Sequence, residues 1–368
     1  MKKSTIFSCL IFASLFILAA YFPTIGKDIM WSLRQLDSMQ AIMDIKDTGL
    51  ISTILTTLLL KYDILRILIV SLLGLSSLNL MKRLVNKKNS CLTLIAFFFL
   101  FLLDKSVISL IFVQTNGFVR YFLGSLLLLL LVYVLVTNSL SRMNIVVSFA
   151  LGLVLTNLEL PYAFTAFSLT IIYICMREDK KEKRSIALFL GEILGLVFAI
   201  LHAKIDYTGA INNLLHSFIP TMCELNFLII LILSSLTMIE AIKVFNYGKR
   251  LGATLAIFGM ASYLFSSLLS THDYLNYMTF LLHMISSFYI LMNCGNSRIF
   301  KRKIQLSYLF KLIYILMICI FGNITVGSTL FLFLIDITLI LDFYDQILPT
   351  DFLWQAWTVV FVVIAGMN

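Results

Sequence analysis

Apolar residues run in long unbroken stretches along this chain, at about 5–22, 64–81, 91–113, 118–137, 145–158, 161–176, 186–203, 224–245, 251–270, 276–294, 306–321, 326–343 and 353–366. Most approach the roughly 20 residues that a helix needs to cross the hydrocarbon core of a bilayer. No two-residue alternation marks a strand, and a spanning segment in lipid must satisfy its own backbone polar groups, so helices are the solution. The pattern predicts an all-α polytopic transmembrane bundle of about 12 or 13 spans, the last run being short. Residues 50–60, Leu-Ile-Ser-Thr-Ile-Leu-Thr-Thr-Leu-Leu-Leu, are too few to cross alone and read as an interfacial or re-entrant piece.

The polar turns between these runs sort by charge. With the N terminus in the cytoplasm, Lys82 to Lys88, Arg142, Arg177 to Arg184, Lys249-Arg250 and Arg298 to Lys303 all fall inside, and 20 of the 28 Lys and Arg residues lie on that side. The net charge of +9 then reflects topology and anionic headgroups, and nucleic acid is not an expected partner. Composition agrees: 60% hydrophobic and 13% charged residues over 368 positions leave no room for a sizeable soluble domain. Met1-Lys2-Lys3 before an apolar run imitates a secretory signal, but Phe22-Pro23-Thr24-Ile25-Gly26 is a poor cleavage site, so the first segment reads as a retained anchor.

No internal repeat or linker divides the chain, which reads as a single integral membrane domain over 1–368. Its first outer loop covers 23–63, and a cytoplasmic loop at 177–184 separates two groups of helices. Within the first loop Ile29, Leu33, Leu36 and Met43 recur at near-helical steps, which predicts a helix lying along the interface with Asp28 at its start. The outer side also collects Gln114-Thr115-Asn116-Gly117, Glu159-Leu160-Pro161, the stretch from His202 to Glu224, and His272-Asp273. The inner turns are mainly basic, so a site is expected to open outward.

Asp28 can cap its helix by accepting backbone N–H groups, or it can act as a base, and the two roles can coexist. Arg34, Arg120 and Lys204 are candidate partners for a phosphate, though basic side chains at span ends also snorkel to headgroups. Glu159 precedes Pro161, which ends the preceding span and leaves a carboxylate where a headgroup, a sugar or a divalent cation can bind. Asp104, Lys105, Glu192 and Asp336 fall inside apolar runs, where an ionisable group marks a functional site or pairs within the bundle. Gly191-x-x-x-Gly195 around Glu192 suits the packing of a neighbouring helix. The histidines lack metal-ligand spacing and Cys9, Cys91, Cys175, Cys223, Cys294 and Cys319 form no Cys-x-x-Cys pair, so neither a metal site nor a disulfide is expected. Nucleotide-binding and Ser/His/Asp signatures are absent, which argues against an ATP-driven activity.

The layout resembles bacterial polytopic membrane glycosyltransferases of the GT-C type. The resemblance rests on Pro23-Thr24-Ile25-Gly26-Lys27-Asp28-Ile29-Met30-Trp31 after the first run, on Gln114-Thr115-Asn116-Gly117-Phe118-Val119-Arg120-Tyr121, and on Asn157-Leu158-Glu159-Leu160-Pro161-Tyr162. It covers roughly the first 200 residues, and the last two motifs look like a Gram-positive branch of such proteins. Many members carry paired acids in the first loop, whereas here Lys27 stands before Asp28. The resemblance implies a multi-pass protein of the bacterial plasma membrane that takes a sugar from a polyprenyl-phosphate carrier and gives it to a glycan acceptor. It implies Asp28 as the catalytic base, and Arg34, Arg120, Glu159, Asn116 and Lys204 around the substrate. A polysaccharide polymerase or flippase is the alternative within glycan assembly; a transporter or a non-catalytic membrane partner using Asp104, Glu192 and Asp336 is the alternative outside it.

Overall fold

The computed structural model describes residues 3–21, 50–85, 108–137, 139–176, 183–202 and 209–218, with short stretches at 220–221, 254, 257, 261, 309–310, 312–320, 329–332, 334–335 and 337. Among the described residues there are helices and turns and no strand. The main helices are α1 (Lys3–Tyr21), α2 (Leu50–Lys61), α3 (Asp63–Val85), α4 (Thr115–Val136), α5 (Ile145–Thr156), α6 (Leu160–Met176) and α7 (Lys183–His202). Three of them contain stretches long and apolar enough to cross a membrane, Asp63–Leu84, Thr115–Val136 and Lys183–Leu201, and these coincide with the apolar runs at 64–81, 118–137 and 186–203. Shorter apolar helices at Ser8–Ala20, Ile145–Thr156 and Leu160–Cys175 coincide with three more.

Helix α4 lies at the centre. Its run of leucines is apolar all round, as a helix enclosed by other helices requires, and Leu126, Leu128, Leu129, Leu131 and Val132 are buried. Helices α3, α5 and α6 pack on it. The outer helices each keep an apolar face exposed: α3 shows Ile64, Leu68 and Leu72, and α7 shows Leu190, Leu194, Val197, Phe198 and Leu201. The predicted piece at 50–60 is α2, which runs almost directly into α3: Tyr62 N–H donates to the Leu58 carbonyl, and Arg66 N–H to the Tyr62 carbonyl, at 3.2 and 3.0 Å.

Three glycines set the closest helix crossing among the described residues. A Cβ on Gly152 would meet the Leu188 carbonyl oxygen, one on Gly191 would meet the Phe149 carbonyl oxygen, and one on Gly195 would meet the Leu153 carbonyl oxygen. Backbone therefore lies on backbone, the arrangement expected of Gly191-x-x-x-Gly195. The contacts run from Phe149 against Gly191 to Thr156 against Gly195, rising along both helices from one end of the crossing to the other, so α5 and α7 are parallel, with α6 returning between them in sequence. The turn Ser139–Arg142 packs against α7, which places Arg142 at the end where α7 begins. Arg142 thus shares an end with Lys183 and Arg184, the grouping that charge sorting expects, while the turn carrying Glu159 lies at the other end.

Candidate functional site

At that other end, local backbone geometry aims two charged side chains at each other. The π-helical turn Ser109–Val113 stops at Gln114, whose extended backbone (φ −80, ψ 117) breaks the helix. A straight helix would separate residues 110 and 117 by about 10 Å. Instead a Cβ on Gly117 would collide with the Leu110 carbonyl oxygen, so the chain doubles back at Gln114, and glycine is the residue that fits. Of the polar segment 114–117, Gln114 alone breaks the helix, and Thr115 to Gly117 already form the first turn of α4. The chain then continues through a second π-helical stretch, Phe118–Leu123, which carries Arg120. π-Helical insertions often re-aim a side chain at functional sites.

Glu159 closes the turn between α5 and α6. Its carbonyl accepts from Ala163 N–H at 3.0 Å, the first bond of α6, and Pro161 occupies the first turn of that helix, where a missing N–H costs nothing. The Glu159 side chain reaches Arg120: Nε and Nη2 both donate to Oε1, the former at 2.8 Å. The two side chains are 23% and 13% exposed, so the pair is largely but not wholly removed from solvent. Burial pushes the Glu159 carboxyl above the usual range, and the Arg120 guanidinium opposes that rise. The Arg120 guanidinium also lies 5.3 Å from the centre of the Tyr121 ring.

A second polar rung lies just below. The Tyr162 hydroxyl donates to the Tyr121 carbonyl at 3.3 Å and meets Ser125 Oγ at 3.0 Å, and the absent side chain of Gly124 makes room for the Tyr162 ring. Tyr162 in turn stacks on Tyr314, which meets Phe331 edge-on at 4.8 Å. Asn157 holds the same end together differently. Its Oδ1 accepts from Ile51 N–H at 2.8 Å, satisfying one of the free N–H groups that open α2, and its Nδ2 donates to the Gly195 carbonyl at 3.3 Å.

Of the residues singled out in the sequence, Arg120 and Glu159 come together across 39 positions, and Asn116 is half-buried in the turn beside Gly117. Asp28, Arg34 and Lys204 lie outside the described residues, as do Asp104, Lys105 and Asp336. Glu192 is fully buried at the glycine crossing, and its Oε1 accepts from the Thr170 hydroxyl at 2.7 Å. That contact is the pairing with a Ser/Thr group that a structural role predicts. Among the described residues no cluster of three His, Cys, Asp or Glu side chains could hold a metal ion. Asn157 and Tyr162 enter the sequence reading only as the two ends of the Asn157-to-Tyr162 motif, with no role of their own, and Arg66 is not singled out there. No protein-family model matches the chain, and no curated protein or solved structure does either.

Removing Arg120 should leave Glu159 partly buried with no countercharge. Arg120→Ala is expected to cost about 2 kcal/mol, below the range for a fully buried pair because both partners keep some solvent, and Glu159 should then take up a proton more readily. Thermal unfolding in detergent of Arg120→Ala, Glu159→Ala and the double variant checks this. The double variant should lose clearly less than the two singles combined, and strict additivity would show that the contact does no work.

Proposed function

We propose that this chain is a polytopic integral membrane protein of about 12 or 13 spans, N terminus cytoplasmic, that transfers a sugar from a polyprenyl-phosphate carrier to a cell-surface glycan at the outer face of the membrane. The observation that supports the reading is the meeting of Arg120 and Glu159, drawn from two turns that the charge pattern assigns to the outer side. Both belong to the motifs that carry the GT-C resemblance. The exposed apolar faces of α3 and α7 are what lipid, rather than water, would cover.

The chemistry requires three things of the protein. An acceptor hydroxyl attacks the anomeric carbon of the sugar and loses its proton to a base, for which Asp28 is the candidate. The bond from that carbon to the phosphate oxygen breaks, and the phosphate leaves on its lipid with negative charge that cations steady; Arg34 and Lys204 are the candidates. The acceptor and the sugar must be held in line, a task suited to the Arg120–Glu159 pair and to the amide of Asn116 at the rim. In this reading Arg120 acts as half of a neutralised pair that shapes the site.

The test is direct. A strain lacking the chain should show an altered surface-glycan composition restored by the intact gene, and membranes containing it should move labelled sugar from a polyprenyl-phosphate donor to glycan. Unchanged glycans together with no transfer would sink the proposal.

A further inference from the structure

Several buried polar atoms find no hydrogen-bond partner among the described residues, including Ser52 Oγ and Thr56 Oγ1 on α2, Arg66 Nε and Nη1 in the first turn of α3, and Thr115 Oγ1 in the first turn of α4, on which α2 packs. The hydroxyls are minor, since each can rotate to suit a neighbour. The guanidinium is different, because it stays charged at any accessible pH and its N–H groups have fixed directions.

The Arg66 side chain is 4% exposed, and the three N–H groups on Nε and Nη1 reach no acceptor. Asp63 does not remedy this. Its Oδ1 lies 3.7 Å from Nε, too far for a hydrogen bond, and its side chain is 73% exposed and therefore solvated. Buried charges are normally paired and hydrogen-bonded, so this one is shaped for an anion. Arg120, by contrast, already has its carboxylate.

We propose that Arg66 anchors a phosphate-binding site at the junction of α2 and α3, one that takes the phosphate oxyanion of a lipid headgroup or a free phosphate ion. Unmet donors stand on both edges of the guanidinium plane, and both nitrogens are enclosed, so an anion that meets them enters by displacing neighbouring side chains. The hydroxyls of Ser52 and Thr56, one turn apart on the adjoining helix, are donors of the kind that a phosphate's remaining oxygens accept. The same first turns of α3 expose Ile64, Leu65 and Leu68, an apolar surface on which acyl chains would lie. The site is separate from the Arg120–Glu159 pair and does not depend on sugar transfer.

The experiment uses the full chain purified in phosphate-free neutral detergent and measures equilibrium binding and thermal midpoint with inorganic phosphate, with phosphatidylglycerol in mixed micelles, and with diacylglycerol as the phosphate-free control. Saturable binding of phosphatidylglycerol alone assigns a lipid headgroup, and binding of inorganic phosphate as well assigns the phosphate itself. In either case Arg66→Gln should weaken binding by about tenfold or more, the loss expected when a charge-assisted hydrogen bond is removed. Arg66→Lys, which keeps the charge but loses the planar donors, should weaken it less and serves where Arg66→Gln does not fold. No binding of either phosphate by the unaltered chain, diacylglycerol binding as tight as phosphatidylglycerol, or unchanged affinity in a folded Arg66 variant would overturn the site. Loss of sugar transfer with phosphate binding intact would count against the transferase reading alone.

Discussion

Gly191→Leu is expected to leave almost no folded protein, because a Cβ at that position already meets the Phe149 carbonyl oxygen and lies 3.2 Å from Leu153 N. The obstacle is backbone, which cannot rotate aside as a side chain does. Even Gly191→Ala should cost about 1–3 kcal/mol, and the leucine, driving α5 and α7 apart along their whole crossing, more than about 4 kcal/mol. Glu192, the next residue, packs its side chain against Gly152 at the same crossing, so its bond to Thr170 of α6 should loosen as well. Gly74→Ala is the control: its Cβ would meet only Leu15 Cδ1, at 2.7 Å, the movable end of a flexible side chain. Yield of monodisperse protein and the unfolding midpoint should separate the two, and a stable Gly191→Leu would refute the packing described for α5 and α7.

In the transferase reading proposed above, the largest effect on activity is expected from Asp28→Asn. The amide keeps the size of the carboxylate and can still cap a helix by accepting N–H groups, but it cannot take a proton from an acceptor hydroxyl. General-base catalysis contributes about 10²–10⁴-fold, so transfer should fall by that factor, while membrane insertion and the unfolding midpoint stay close to those of the unaltered chain. This substitution distinguishes the two roles of Asp28 that the sequence leaves open. A drop in stability with transfer retained would make it a cap, and full transfer would remove it from the mechanism.

Individual elements differ in how legible they are in the sequence, for physical reasons. The runs that became α3, α4 and α7 were readable because continuous apolarity needs no partner to be interpreted. The turn at Gln114 and the Gly191-x-x-x-Gly195 contact were readable because glycine has few other reasons to stand where it does. Arg120 and Glu159 were each marked by their position at a polar turn, yet their pairing depends on how α4 and α6 meet, which no local pattern encodes. The π-helical stretch that aims Arg120 has no distinguishing composition in Phe118–Leu123. Arg66 was hidden for the opposite reason: a lone arginine near the start of an apolar run looks like a residue that snorkels, and only the packing around α3 buries it.

The shortness of α5 has a consequence for how the protein is made. Twelve residues extend about 18 Å, well short of the roughly 30 Å of hydrocarbon that a lone helix must cover. Its backbone lies against α7, whereas α7 is long and apolar enough to stand by itself. In the membrane reading proposed above, α5 leaves the ribosome before the partner that holds it, so its place in the bilayer is settled retroactively, when α7 arrives. A nascent chain arrested between α6 and α7 would carry α5 as a passenger still able to slip back toward water.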